Sequence, residues 1–417
     1  MSTETVSTEE VSTEVGTPLT DKPELRRHVN GLDGMRALAA YGVLATHAGF
    51  NTGRSLDNSP FAPFLARLDF GVTVFFLLSG FLLYRPFALA ALADRPAPGL
   101  GGFYLRRALR ILPAYWVAVL VTLTVLSTRP ASLGDFASYL GLIQTYNSHN
   151  VDPSLTQMWT LAVELSFYAV LPLLAALGRG RRPRSVRAAF WRQAGLLAAM
   201  VVIAIAADVY AHSGSSDQRS LIWLPANLDW FAAGMLLALL SAVPAEASLV
   251  RGLRTRLQEW AQAPVTCWVI GLLFFWLATL PLAGPRDLTV PTGGQWTVKH
   301  WLYAFAAFAL LIPLVFGDGG AIGRFLGSKP MRLLGELSYG VYLWHLGLLL
   351  AIQRWLGQHT FGGHFLELFS LTAVAATGVA ALSWFGFERR LLKLGRPTRL
   401  DPVATAVAAS TANPHSS

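Results

Sequence analysis

The chain alternates between long apolar runs and short polar joints that carry arginine. The runs exceed the length of core strands and approach the roughly 20 residues that cross a hydrocarbon layer as a helix. Ten segments fit this pattern: residues 34–50, 69–91, 108–127, 158–177, 190–211, 222–243, 264–283, 298–316, 336–356 and 364–387. A further apolar piece, Phe136–Thr145, is too short to span and reads as interfacial or re-entrant. Residues 1–30 are mostly Ser, Thr, Glu and Val with no core pattern, and read as a disordered tail. The positive start and immediate apolar core of a signal peptide are missing, so the first segment is expected to act as an uncleaved anchor. Residues 396–417, rich in Ala, Thr and Ser, read as a second disordered tail. The pattern therefore predicts an all-α protein, a polytopic integral membrane bundle of about ten helices forming one domain over residues 31–395.

Composition agrees. The chain is 53% hydrophobic and 14% charged, against roughly 25% charged residues in a soluble domain, and its mean hydropathy is +0.45. Lys and Arg concentrate in every second joint. Arg26 and Arg27 precede the first segment, Arg106 and Arg107 follow the second, Arg179 to Arg192 follow the fourth, and Arg389 to Arg399 follow the last. The opposite joints carry few. This asymmetry predicts both termini on the cytoplasmic side. A net charge of +9 would suit a nucleic-acid partner, but the basic residues fall between apolar segments rather than on one polar face, which excludes that class. Cys267 is the single cysteine, so no intrachain disulfide forms, and it reads as a buried inert thiol. The oligomeric state stays open.

Against this background the informative residues are ionisable groups inside apolar helices. Arg36 and His47 share the first segment, GMRALAAYGVLATHAGF, about 16 Å apart along a helix. Such groups are costly in a membrane and by default face a functional interior. The alternative is an arginine that snorkels to headgroups and an interfacial or core histidine. A second motif, FYLRRALRILPAYW, brings Arg106, Arg107 and Arg110 in from the cytoplasmic end and carries Tyr115. Arg107 and Arg110 share a helix face, and guanidinium pairs suit phosphate; the alternative is an ordinary positive-inside flank. A third, WTLAVELSFY, holds Trp159 and places Glu164 about five residues inside the outer end of its helix. That depth matches His47, so Glu164 reads either as the carboxylate that orients the imidazole or as half of a structural ion pair. A fourth, GELSYGVYLWH, offers Ser338, Tyr339, Tyr342 and His345 for packing or catalysis. No spacing in the chain argues for a metal site.

Seven pieces in order resemble the acyltransferase-3 family of bacterial membrane O-acyltransferases. They are LDGMRALAAYGVLATH, GVTVFFLLSGFLL, RRALRILPAYW, WTLAVELSFY, NLDWFAAGM around Asp229, LGELSYGVYLWH and FER. The family includes O-antigen and exopolysaccharide acetylases, root-nodulation factor acetylases and macrolide acylases. Some members carry a C-terminal extracytoplasmic esterase-like domain, which this sequence is expected to lack. The resemblance implies transfer of an acyl group, acetyl first among them, from acyl-coenzyme A as co-substrate, with no permanently bound cofactor. The acceptor would be a hydroxyl of an envelope glycan, a glycolipid or a small natural product, and the site the bacterial plasma membrane. It maps the family's Arg–His pair onto Arg36 and His47, its basic motif onto Arg106, Arg107 and Arg110, and its Glu motif onto Glu164, where Leu165 and Ser166 replace the more usual polar pair. His47 would then deprotonate the acceptor, Glu164 would orient His47, Arg36 would position the donor, and the basic motif would hold its phosphates. The different-class alternative is a multi-pass transporter, although no pairing of related halves with broken helices is visible.

Overall fold

The computed structural model describes residues 23–146, 152–180, 185–213, 218–244, 248–287 and 289–394. Most of both predicted tails lies outside these residues, but residues 23–30 are already helical. Among the described residues there are only helices, turns and loops. The α-helices are α1 (Pro23–Asn51), α2 (Ala62–Ala66), α3 (Gly71–Leu92), α4 (Leu100–Val121), α5 (Leu133–Leu140) and α6 (Trp159–Arg179). They continue with α7 (Val186–Ala211), α8 (Leu228–Ser241), α9 (Ser248–Ala261), α10 (Pro264–Leu277) and α11 (Gly293–Phe316). The last four are α12 (Gly320–Leu326), α13 (Lys329–Trp355), α14 (Phe365–Ser383) and α15 (Arg389–Leu394). Local sequence sets the starts. α1 opens on proline, which suits a first helical turn. Ser132 with Asp135 and Thr292 with Gln295 form capping boxes at α5 and α11.

Among the described residues seven helices are long and apolar enough to cross a membrane, or eight if α9 and α10, bent by 90° at their junction, act as one span. The pattern predicts about ten. The difference lies in three elements. α1 is 29 residues long, but Asp33, Arg36 and its other polar residues dilute its hydropathy. α8 and α10 have 14 residues each, about 21 Å of helix, short of a hydrocarbon core of roughly 30 Å. Phe136–Thr145 holds the short α5 and turns, in keeping with a non-spanning piece.

The bundle is built around α1, α3, α8 and α13, with α7 and α14 outside. Almost every residue of α8 is buried, whereas only 22% of the apolar window of α7 or α14 is covered by protein. α3 and α8 cross with backbones in contact. A Cβ on Gly80 would collide with Phe231 O, and one on Gly234 with Leu77 O. Close crossings of this kind need small residues, because between membrane helices packing replaces the hydrophobic drive. α1 packs along α13 on one side and meets α3 on the other, and that sandwich positions both ends of the Arg36–His47 line.

Candidate active site

His47 lies four residues from the end of α1 and His345 sits mid-helix on α13, fully buried. His47 Nδ1 and His345 Nε2 are 3.0 Å apart, and the rings stack at 5.1 Å. His345 Nδ1 is 2.8 Å from Tyr342 O. A carbonyl only accepts, so His345 Nδ1 carries the proton and its Nε2 presents a lone pair. The proton between the rings then sits on His47 Nδ1, and His47 Nε2 is left as the free base. The chain from carbonyl to imidazole to imidazole fixes the tautomer of His47 with no carboxylate in contact.

Glu164 is held elsewhere. Ser79 Oγ of α3 and Tyr168 Oη both donate short hydrogen bonds to Glu164 Oε1, and Oε2 has no partner among the described residues. The carboxylate faces an internal cavity that also takes in Arg36, Arg107, Arg110, Thr160, Tyr339 and Tyr342. Arg36 feels the charges of Arg110, Asp33 and Glu164 there. The cavity is narrow, about 70 Å³, far below the roughly 300–1,000 Å³ of sites that enclose a whole drug-sized ligand. Phe75 and Tyr342, edge to face at 5.6 Å, form its wall on the side of His345, whose ring lies 5.5 Å from that of Tyr342. The arrangement pairs a positively charged slot with a free imidazole nitrogen behind an aromatic wall.

The expected contact between Glu164 and His47 is thus not made. Glu164 sits instead in the cavity with Arg36: α6 turns this face to α3 and α4, and His345 occupies the place beside His47. Arg107 and Arg110 line the cavity, whereas Arg106 does not. Tyr339 lines it too and donates to Ile111 O at 2.8 Å. Three other candidates are bound into the scaffold. Tyr115 Oη donates to Tyr139 O at 2.5 Å, Ser338 Oγ to Gly335 O at 2.7 Å, and the Trp159 ring packs edge-on to Phe76. Tyr115 anchors the loop of α5, which Arg129 clamps by a forked contact to Asp135. That contact, with the capping hydrogen bonds of Ser132, holds the Asp135 carboxyl down at about 2. Sequence reasoning missed Ser79 and Tyr168 as the partners of Glu164, and Thr160, which pairs with Tyr342 Oη at 2.8 Å. Thr160 and Tyr168 stand four residues to either side of Glu164, a helical spacing readable in the motif, whereas Ser79 comes from α3 and has no local signal. Among the described residues no three His, Cys, Asp or Glu side chains come together as a metal would require.

A model of an acyltransferase domain matches residues 29–386, from the start of the α1 core through α14. The chain belongs to the acyltransferase-3 family. It is 25% identical over 343 residues to the peptidoglycan O-acetyltransferase candidate YrhL of Bacillus subtilis, covering 78% of this chain and 49% of that protein. It is 24% identical over 349 residues to the O-acetyltransferase OatA of Staphylococcus aureus, covering 80% and 52%. Against Nodulation protein 10 of Rhizobium leguminosarum it is 28% identical over 399 residues, covering 88% and 94%. The chain thus spans about half the length of the first two relatives and nearly all of the third. No solved structure gives a significant match. Arg36 and His47 stand eleven residues apart on one helix.

Proposed function

We propose that this protein is a multi-pass enzyme of the bacterial plasma membrane that transfers an acyl group, acetyl first among the candidates, from acyl-coenzyme A to a hydroxyl. The acceptor would belong to an envelope glycan, a glycolipid or a small natural product such as a macrolide. One observation carries the reading: His47, its Nε2 left free, stacks on His345, and His345 lies against Tyr342, a wall residue of the slot lined by Arg36, Arg107 and Arg110. The names of the relatives support acetyl and glycan over the other choices. In this reading α1, α8 and the α9–α10 pair complete a bundle of about ten crossings with both termini cytoplasmic, as the joint charges suggest. The donor's phosphates would rest on Arg107 and Arg110 at the cytoplasmic mouth. A cavity of about 70 Å³ is too small for a nucleotide, so only the thioester end would pass inward past Arg36. His47 Nε2 takes the acceptor proton as its oxygen attacks the thioester carbon, while Arg36, about 16 Å away along α1, positions the donor in the slot. Glu164 would hold the arginines in place rather than touch His47.

The deciding experiment places the purified full chain in vesicles with labelled acetyl-coenzyme A and envelope glycans. Loss of thioester matched by new O-acetyl groups supports the reading, whereas solute flux without thioester loss indicates a transporter. Two variant sets test the roles. Replacing Arg107 and Arg110 by alanine removes charged hydrogen bonds worth about 1.5–3 kcal/mol each. The donor KM is expected to rise at least tenfold, with the acceptor KM little changed; an unchanged donor KM would refute the phosphate assignment. His345→Gln keeps an acceptor for the His47 Nδ1 proton and should retain activity within about tenfold of the parent, while His345→Phe should lose about 100-fold or more in kcat. Equal activity in the two variants would show that the histidine chain does not set the tautomer.

A further inference from the structure

The end of α7 and the start of α11 are pinned together. Thr297 Oγ1 donates to Asp208, and Gly293 lies against the His212 ring. Deeper along both helices a groove of about 460 Å³ opens between them, with α8 as its floor. That volume falls within the roughly 300–1,000 Å³ of sites that enclose a ligand. Ala233 and Leu236 lie on the floor, Ala198 and Val201 on the α7 side, and Phe305 and Phe308 on the α11 side. The groove follows α8 from Asp229 to Leu236, about 10 Å. Asp229, the one charged residue of the lining, is already engaged: His300 Nε2 stands 2.8 Å from its Oδ2, and Trp230 N donates to its Oδ1 at 2.9 Å.

Both flanking helices are long and apolar enough to cross a membrane. Trp301 lies about 12 Å and Phe308 about 22 Å from the start of α11 at Gly293, which sets the groove at the middle depth of a hydrocarbon core of roughly 30 Å. Ala198 and Phe305 are exposed, so the groove opens sideways toward the lipid. Three occupants can be weighed. Water needs two or more polar partners, which this lining does not offer. An α-helix of a second copy, about 10–12 Å across with its side chains, would need roughly twice the volume over the same length. A hydrocarbon chain needs no polar partner, and it restores the dispersion contacts that an empty apolar groove forfeits. We propose that the groove is a lipid site that seats one acyl chain of a bilayer phospholipid between α7 and α11. The site goes beyond the acyl-transfer reading and does not rest on it.

The test reconstitutes the full chain in phosphatidylcholine vesicles that contain a trace of phosphatidylcholine with a diazirine midway along one acyl chain. Irradiation and peptide mass spectrometry then locate the adducts. Labelling of Val201, Leu236 and Phe308 should exceed that of Val374, an exposed residue of the outer helix α14, by about fivefold or more. Ala198→Trp fills the groove from its exposed side and should cut the groove adducts about fivefold while leaving Val374 unchanged. Labelling spread evenly over the outer faces of α7 and α14, or groove labelling that survives Ala198→Trp in full, overturns the site. So does a dimer whose intersubunit cross-links cover α7 and α11 with no lipid adduct in the groove. The adduct map of the parent decides the matter even where the tryptophan variant fails to fold.

Discussion

Replacing His47 by alanine is expected to lower acyl transfer about 10²- to 10⁴-fold, the usual contribution of a positioned general base, with the protein still folded. His47 is only half-buried, and its single side-chain partner is His345 Nε2. The truncation therefore leaves one imidazole nitrogen of His345 without a donor, at a cost of about 1–3 kcal/mol, and does not break the α1–α13 seam, which is carried by Ala40, Leu44, Leu337 and Val341. Turnover should collapse while donor binding persists, because Arg107 and Arg110 lie on α4. Single-turnover assays with labelled acetyl-coenzyme A, paired with donor binding by equilibrium dialysis, separate the two. Near-normal turnover by the alanine variant would remove His47 from the chemistry.

The second large effect is structural. Gly234→Val should prevent α3 and α8 from seating, because the new side chain meets Leu77 O, a backbone atom that no rotamer can move. Overpacking in a well-filled interior commonly costs about 1–3 kcal/mol, and here the obstacle is rigid and the helix almost wholly buried, so the variant is expected to yield no monodisperse protein in detergent. Gly378→Ala on the outer helix α14 is the comparison. Its Cβ would meet nothing within 4 Å, and trading glycine for alanine in a helix favours the fold by up to about 1 kcal/mol. Size-exclusion profiles and thermal melts of the two proteins read the contrast; a well-folded Gly234→Val would mean that the crossing is looser than described.

What the sequence made legible was composition along the axis. Apolar length located most helices, and the spacing of Arg36 and His47 put a charge and a base on one line. What it left hidden was azimuth and partnership. Hydropathy alone understates α1, since Asp33, Arg36 and His47 are half-buried within the bundle rather than excluded from it, and overstates α8 and α10, whose apolar runs include turns and 3-10 pieces. Glu164 joins Arg36 in the arginine-lined cavity and does not meet His47. The partner that His47 does meet lies 298 residues away, and nothing local in either motif links the two. Tyr115 and Ser338 stood in motifs beside functional residues, yet their hydroxyls are spent on backbone carbonyls. Ser338 bonds back within α13 and Tyr115 ties α4 to α5, which neighbourhood in sequence does not reveal.

The histidine chain ends on the carbonyl of Tyr342, an atom that takes no proton at neutral pH. A proton lifted from the acceptor onto His47 Nε2 therefore has no onward path through His345. It must leave by the nitrogen through which it entered, and the natural recipient is the thiolate released from the donor. Each cycle then closes on itself: one proton is borrowed from a hydroxyl and returned to a sulfur as the acyl group moves the other way, so no net charge crosses the bilayer. On these terms the enzyme would run at the same rate whether or not the membrane is energised.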